Sequence, residues 1–355
     1  MQIDFTKKLL AWNGNLNKRS MPWKGETNPY RIWLSEIILQ QTRVEQGTAY
    51  YKKFITTFPT IQKLAKAPEQ EIFKYWEGLG YYNRCRNLIA TAKIISNDYN
   101  GHFPSSYDEI LKLPGIGPYT AAAIASFAFG LPYPVVDGNV ERVLARYFGI
   151  STEVGSAAVK KLYISLADSL LDKKNPGVYN QAIMDFGATI CKPQNPLCSE
   201  CVQSKNCQAF QQGWTDQLPV KSSPNVRKKR VLYYFIVTSG TDKIWIRKRL
   251  EKDIWQNLYE FILWETGKII PQAKIRQSPF FKKHFGNQAF QIQYISPSFN
   301  QILTHQSITG LFVHISTQLP ELEGYQSVHR RNLNEYPFPK LIADYIKILP
   351  ATVSW

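Results

Sequence analysis

Four cysteines crowd into one short stretch, Cys191, Cys198, Cys201 and Cys207, in the pattern C-x6-C-x2-C-x5-C. Four thiolates so placed can wrap one metal centre, and Pro193, Asn195 and Pro196 suit the tight loop that keeps them converging. Zinc and a [4Fe–4S] cluster both accept four thiolates. Zinc sites usually show two short Cys knuckles; the single short pair here favours iron–sulfur. The alternative is a set of buried free thiols. Cys85 lies apart on a helical stretch and reads as packing.

Two carboxylates also stand out. Glu36 shares a helix face with Ile32, Trp33, Leu39 and Gln40. A carboxyl group among such residues has its pKa raised by desolvation, which suits a general acid near neutral pH. The alternative is an ion pair with Arg31 or Arg43. Asp137, in Val135-Val136-Asp137-Gly138-Asn139, precedes a helical segment. It reads either as a helix N-cap or as a carboxylate held beside a helix N-terminus for chemistry, and the two roles can coexist. Between them lies Leu113-Pro114-Gly115-Ile116-Gly117-Pro118. Gly115 and Gly117 permit a sharp turn and leave bare N–H groups at a helix start where a phosphate can sit. A plain interhelical turn is the alternative.

The elements that must carry these residues follow from periodicity. Up to about residue 215 the chain reads as mostly helical, with stretches at Tyr30–Gln46, Glu69–Trp76, Asn83–Ser96, Tyr119–Phe129, Asn139–Phe148, Ala157–Leu171 and Val178–Thr189. Residues 217–230 hold two prolines, a Ser pair and a basic run, and read as a linker. The remainder is β-rich. It has strands at Val231–Thr238 and Lys243–Arg249, the latter half-buried, with a turn at Gly240-Thr241-Asp242. A further strand region is expected at Ile302–Ser316 and a helix at Pro339–Leu349. The expected domains are thus 1–216, helical, and 231–355, α+β.

Composition sets the partner. Of 355 residues, 43 are Lys or Arg and 27 Asp or Glu, a net charge of +16, positive in both parts. Such a chain is drawn to polyanions. Aromatic residues at 14% and apolar residues at 44% exclude a disordered chain. No apolar run approaches the ~18 residues of a membrane span. The first residues lack an apolar signal core, so a cytoplasmic protein is expected.

Taken together, these residues resemble the helix–hairpin–helix superfamily of DNA glycosylases, and within it the MutY-type adenine glycosylases. The likeness runs through Met21-Pro22-Trp23, Glu36-Ile37-Ile38-Leu39-Gln40-Gln41-Thr42, Glu77-Gly78-Leu79-Gly80-Tyr81-Tyr82, the hairpin, Val136-Asp137-Gly138-Asn139 and the cysteine loop. The resemblance implies a [4Fe–4S] cluster on the four cysteines and a monomer acting on double-stranded DNA at 8-oxoguanine·adenine or guanine·adenine mispairs. It implies that Glu36 protonates adenine N7 and that Asp137 stabilises the sugar cation, with Tyr119 and Asn139 in support. Gln181 reads the adenine edge. Trp23 and Lys24 flank the base pocket, with Lys24 standing where the family has Arg. Gln41, Thr42, Leu79 and Tyr81 contact DNA, and Gly115 and Gly117 grip its backbone.

Tyr119 occupies the place of the catalytic lysine of the endonuclease III type. A monofunctional enzyme with little strand cleavage is therefore expected. The C-terminal part resembles the family's Nudix-like module without a working Nudix box, so no phosphohydrolase activity is expected. Leu303-Thr304-His305 stands where the family reads 8-oxoguanine through Phe-Ser-His, which gives Thr304 and His305 that role. A pyrimidine glycosylase/lyase and a non-catalytic damage binder are the competing readings.

Overall fold

Caps and prolines decide where the helices begin. In the computed structural model, which describes residues 2–220, 226–238, 242–286, 290–317 and 322–348, Asn28 caps the Pro29–Leu39 helix by accepting from the amides of Tyr30 and Arg31, with Pro29 at the first turn. Ser106 and Ser156 cap Tyr107–Leu111 and Ala157–Leu170 in the same way. Gly130 and Gly149 close Pro118–Phe129 and Gly138–Phe148 in the left-handed region. The helical stretches read from periodicity recur within two residues at most ends. Tyr30–Gln46 is the exception. Its helix stops at Leu39, Gln41 turns the chain at φ +54°, and a new helix runs over Val44–Thr57.

The chain divides into two compact units. One comprises Met1–Lys66 with Arg86–Ser223; the other comprises Ala67–Cys85 with Pro224–Trp355. The first is helical. Its Pro118–Phe129 helix buries Ala121, Ala122, Ala123 and Ala125 and packs on Pro29–Leu39 and Pro176–Thr189. Small side chains allow that approach. At Gly187 the chain is closer still: a Cβ there would stand 2.8 Å from Asn139 Cβ, so this glycine lets Pro176–Thr189 lie against Gly138–Phe148. Phe5, Trp12, Leu144, Tyr163 and Phe186 complete this core.

Residues 217–220, read as the start of a linker, are packed in this unit. Leu218 is buried and its carbonyl accepts from Arg146 Nε at 3.0 Å, while Val220 O accepts from Val154 N at 2.9 Å. Polar and proline-rich composition hid one apolar anchor. Residues 221–225, within the expected linker, lie outside the described residues, as do Gly240 and Thr241 of the expected turn.

The second unit holds a mixed sheet: β1 (Lys228–Thr238), β2 (Lys243–Lys248), β3 (Tyr259–Glu260), β4 (Ile262–Thr266), β5 (Phe290–Ile295), β6 (Phe299–Ile302), β7 (Gln306–Thr317) and β8 (Gln326–His329). The order is β3-β2-β1-β7-β5, with β4 on β1, β6 on β7 and β8 on β2. β1 and β7 pair parallel from Lys228↔Gln306 to Thr238↔Ser316, and the other pairs are antiparallel. Both faces of β1 are covered, so nearly the whole strand is buried. Tyr233 and Phe235 meet Ile275, Phe281 and Phe285 on one face. On the other, Tyr234 stacks on Phe312, which stacks on Tyr345 of the Lys340–Lys347 helix at 3.7 Å.

Ile244, Trp245 and Ile246 are all buried, so β2 lacks the half-buried alternation expected of it. The expected strand Ile302–Ser316 is a hairpin arm, with β6 ending at Ile302 and β7 starting at Gln306.

The Glu69–Trp76 helix, early in sequence, belongs to this second unit. Lys74 Nζ donates to Tyr336 O at 3.1 Å, Glu77 Oε1 accepts from Phe338 N at 2.9 Å, and Gln70 Nε2 donates to Glu335 O at 3.1 Å. Among the described residues no helix is long and apolar enough to cross a membrane.

Candidate active site

Glu36 sits near the C-terminal end of the Pro29–Leu39 helix, between buried Leu34, Ser35, Ile37 and Ile38, and is itself 8% exposed. Burial pushes its carboxyl up to about 7; the Tyr119 hydroxyl, which donates to it, works the other way, and the charge of Asp137 adds to the rise. Arg31, one of the basic partners allowed by sequence, instead pairs with Glu26 at 3.2 Å. Tyr119 stands on the first turn of Pro118–Phe129, and burial, then Glu36 and Asp137, push its phenol well above the ordinary range. It therefore remains a donor.

Asp137 is an N-cap. Its Oδ1 accepts from the amides of Asn139 (2.9 Å) and Val140 (2.8 Å), which opens the Gly138–Phe148 helix. Its Oδ2 accepts from Asn139 Nδ2 at 2.7 Å. The cap also lies close enough to Glu36 for its charge to act on that carboxyl. The Asn139 amide is fixed from behind: Arg142 Nη2 donates to Asn139 Oδ1 (2.9 Å) and to Gly187 O (2.7 Å), and Arg142 Nε donates to Cys191 O (2.8 Å).

A cavity of about 860 Å³ opens onto these groups. It is lined by Glu36, Tyr119, Asp137 and Asn139, and also by Trp23, Lys24, Gln41, Thr42 and Gln181. Trp23 is held edge-on to Tyr51 at 5.3 Å. Lys24 Nζ donates to Arg19 O and to Asp185 Oδ2, both at 2.8 Å. Gln181 Nε2 donates to Asp185 Oδ1 at 2.9 Å, so this residue is not a plain helix-surface side chain. Asp185 and Arg142 are not among the residues the sequence singles out. Their signal was positional, Asp185 one turn after Gln181 and Arg142 one turn into the helix that Asp137 caps.

In the glycine hairpin only Gly115 needs a left-handed backbone, at φ +75°, and a Cβ there would strike Asn87 at 2.5 Å. Gly117 is extended, at φ −92°, and open; it precedes a helix start that has no side-chain cap. Ile116 points inward and Thr91 Oγ1 donates to Pro114 O, which fixes the turn.

Cys191, Cys198, Cys201 and Cys207 line one separate cavity of about 30 Å³, together with Arg146. Burial pushes the Cys201 thiol up to about 12 and raises Cys198 and Cys207 as well. Arg146 Nη1 reaches Cys191 Sγ at 3.4 Å. Among the described residues no three His, Cys, Asp or Glu side chains close on a single-ion site.

The remaining predicted residues meet in the second unit. Tyr81 is 43% exposed at φ +49°, and its hydroxyl lies 3.0 Å from Thr304 Oγ1. Arg84 stands 5.5 Å from the Tyr81 ring centroid. Leu79 is buried and packs. Thr304 and His305 occupy the exposed β6–β7 turn rather than a strand. The core role open to a strand histidine therefore does not apply to His305.

A helical hairpin domain with paired carboxylates at one cavity, followed by a sheet domain, defines a base-excision DNA glycosylase of the helix–hairpin–helix class. Residues 34–165 match the HhH-GPD superfamily base excision DNA repair protein family, and residues 233–347 match the NUDIX domain. The chain belongs to the adenine DNA glycosylase family. It is 36% identical over 291 residues to the adenine DNA glycosylase of Buchnera aphidicola subsp. Schizaphis graminum, covering 81% of this chain and 82% of that one. It is 40% identical over 237 residues to the human adenine DNA glycosylase, covering 63% of this chain and 43% of that one. Among solved structures, a thermostable thymine-DNA glycosylase superposes with a TM-score of 0.55 at 33% identity, over 59% of this chain and 97% of that one.

Proposed function

We propose that this protein hydrolyses the N-glycosidic bond of adenine mispaired with 8-oxoguanine or guanine in double-stranded DNA, as a monomer, leaving an abasic site. The observation that carries the reading is the pairing of a protonatable Glu36, bonded to Tyr119, with the capped carboxylate of Asp137 on one cavity. A base must leave the stack to reach such a cavity. Glu36, whose carboxyl burial pushes up to about 7, gives its proton to adenine N7. As the C1′–N9 bond breaks, Asp137 stabilises the cationic sugar, its second oxygen steered by Asn139, and water then adds at C1′ and loses a proton to leave the abasic hydroxyl. Tyr119 offers no amine for a Schiff base, so the strand stays intact.

Trp23, Lys24 and Gln181 bound the extruded base. Gln41, Thr42, Leu79 and Tyr81 serve the duplex, and the open N–H groups beyond Gly115 and Gly117 take a phosphate. Thr304 and His305, exposed beside Tyr81, meet the partner base. Among the described residues of the Nudix-like domain, Glu260 pairs with Arg247 and Arg249, and Asp253 and Glu265 pair with Arg230. That supports lesion reading without phosphohydrolysis.

The four cysteines line one cavity with Arg146 beside them, which supports a shared metal centre, and their spacing with a single short Cys pair favours a [4Fe–4S] cluster over zinc. Bound there, the cluster would tie residues 191–207 into one rigid loop. A brown preparation containing iron supports this; a colourless one containing zinc refutes it.

The decisive assay incubates the protein with an 8-oxoguanine·adenine duplex and then hot alkali. Alkali-dependent cleavage at the adenine is expected, and its absence sinks the reading. High-yield borohydride trapping of a covalent DNA complex would instead favour a glycosylase/lyase.

A further inference from the structure

Asp185 lies on the Pro176–Thr189 helix with a side chain that is 0% exposed. Four donors surround its two oxygens. Oδ1 accepts from Arg19 Nη1 (2.9 Å) and Gln181 Nε2 (2.9 Å); Oδ2 accepts from Asn17 Nδ2 (2.8 Å) and Lys24 Nζ (2.8 Å). A carboxylate has roughly four acceptor sites, so this one is saturated. Three of its partners, Arg19, Lys24 and Gln181, line the 860 Å³ cavity.

The consequence lies in the amide of Gln181. A primary amide has two ends, NH₂ donating and C=O accepting, and in most settings it can turn over. Beside Asp185 it cannot. The flipped amide would set Oε1 against the acceptor-only Oδ1, lone pair against lone pair, and leave a buried acceptor without its donor. One of its two N–H groups is therefore spent on Asp185, which fixes which end of the amide faces that carboxylate. With that end held, the carbonyl oxygen keeps a fixed place as the acceptor Gln181 brings to the cavity it lines. Adenine carries an exocyclic amine at its six position, whereas the keto purines carry an oxygen there.

We propose that Asp185 is a positioning residue for base selection: it locks the Gln181 amide so that the cavity accepts from an amino purine and opposes a keto purine. This rests on the adenine-excision reading. The selection is electrostatic and two-sided. The amine gains an acceptor, while a keto oxygen meets the Gln181 oxygen with no proton between them. Hypoxanthine is the fitting probe, since it keeps N7 for Glu36 and replaces the amine by an oxygen.

The test measures single-turnover excision of adenine and of hypoxanthine, each opposite 8-oxoguanine, and takes their ratio for each variant, so that intrinsic leaving-group differences cancel. The native protein is expected to favour adenine by about a hundredfold. In Asp185→Asn the side chain can donate or accept, the amide is free to turn, and the ratio should fall by about tenfold or more. Asp185→Asn combined with Gln181→Glu should restore the ratio, because a carboxylate offers an acceptor whichever way it turns. A purely structural Asp185 would slow both bases alike and would not be rescued by Gln181→Glu.

An unchanged ratio in Asp185→Asn, or equal excision of the two bases by the native protein, overturns the proposal while leaving adenine excision standing. Absence of any excision by the native protein sinks the functional reading itself. If Asp185→Asn does not fold, the Gln181 side-chain amide resonance of the native protein decides, identified by its loss in Gln181→Glu. One strongly downfield, slowly exchanging proton marks the bond to a carboxylate, and an ordinary exchanging pair overturns it.

Discussion

Glu36 and Asp137 are both carboxylates, yet their surroundings push them to different tasks. Glu36 is desolvated and faces Asp137, so its folded-state pKa of about 7 stands above the ordinary 4.5. On the proposed mechanism the acid form gives the proton, so the excision rate should fall as pH rises through about 7, and a pH profile that stays flat to pH 9 would contradict this. The same shift bears on stability. Between pH 4.5 and 7 the folded state holds a proton that the unfolded chain releases, so stability from this group declines as pH rises across that interval. Glu36→Gln removes the titration. It should abolish excision while keeping DNA binding, and it should raise unfolding free energy by about 3 kcal/mol above pH 7 with little change near pH 4, as denaturant melts at the two pH values will show. Arg142 acts one step behind Asp137 and Asn139. Arg142→Gln frees the Asn139 amide and strands the carbonyls of Gly187 and Cys191. We expect a loss of about 2–3 kcal/mol in stability together with a fall in kcat larger than any change in KM.

At the scale of elements, the site is built on helix ends. The Pro29–Leu39 helix stops one turn after Glu36, which brings Gln41 and Thr42 to the cavity rim; had the helix run on to Gln46, as apolar spacing suggested, they would lie elsewhere on its surface. Asp137 opens one helix and Tyr119 sits in the first turn of another, so three helix ends border one cavity. The Glu69–Trp76 helix and the turn carrying Leu79 and Tyr81 are fastened to the C-terminal residues by Gln70, Lys74, Glu77 and Tyr82. Glu77→Gln combined with Lys74→Met should therefore raise amide hydrogen exchange at Phe338 and over residues 77–82. It should also lower selectivity for 8-oxoguanine over guanine without slowing base excision once the mispair is bound. Unaltered exchange at Phe338 would show that these bonds do not hold the turn.

Over the whole molecule, a net charge of +16 with both parts basic makes binding a counterion-release process. The affinity for duplex DNA should fall steeply with salt, linearly on a log–log plot, and Thr304→Ala with His305→Ala should change lesion preference while leaving most of that slope intact. Much of this protein was legible in one dimension. Local periodicity and caps place most helices, because helix formation depends on near neighbours. Cysteine spacing, the Gly115–Gly117 hairpin and the types of Glu36, Tyr119 and Asp137 carry their chemistry in residue identity. What a string of residues cannot give is which groups at long separation meet. The tertiary structure decided that Glu36 faces Tyr119 and Asp137 rather than Arg31, that Asp185 collects Asn17, Arg19, Lys24 and Gln181, and that Tyr81 lies against Thr304. Those pairings set desolvation, proton affinity and amide orientation. All three are properties of the surroundings, and the surroundings exist only once the chain is folded.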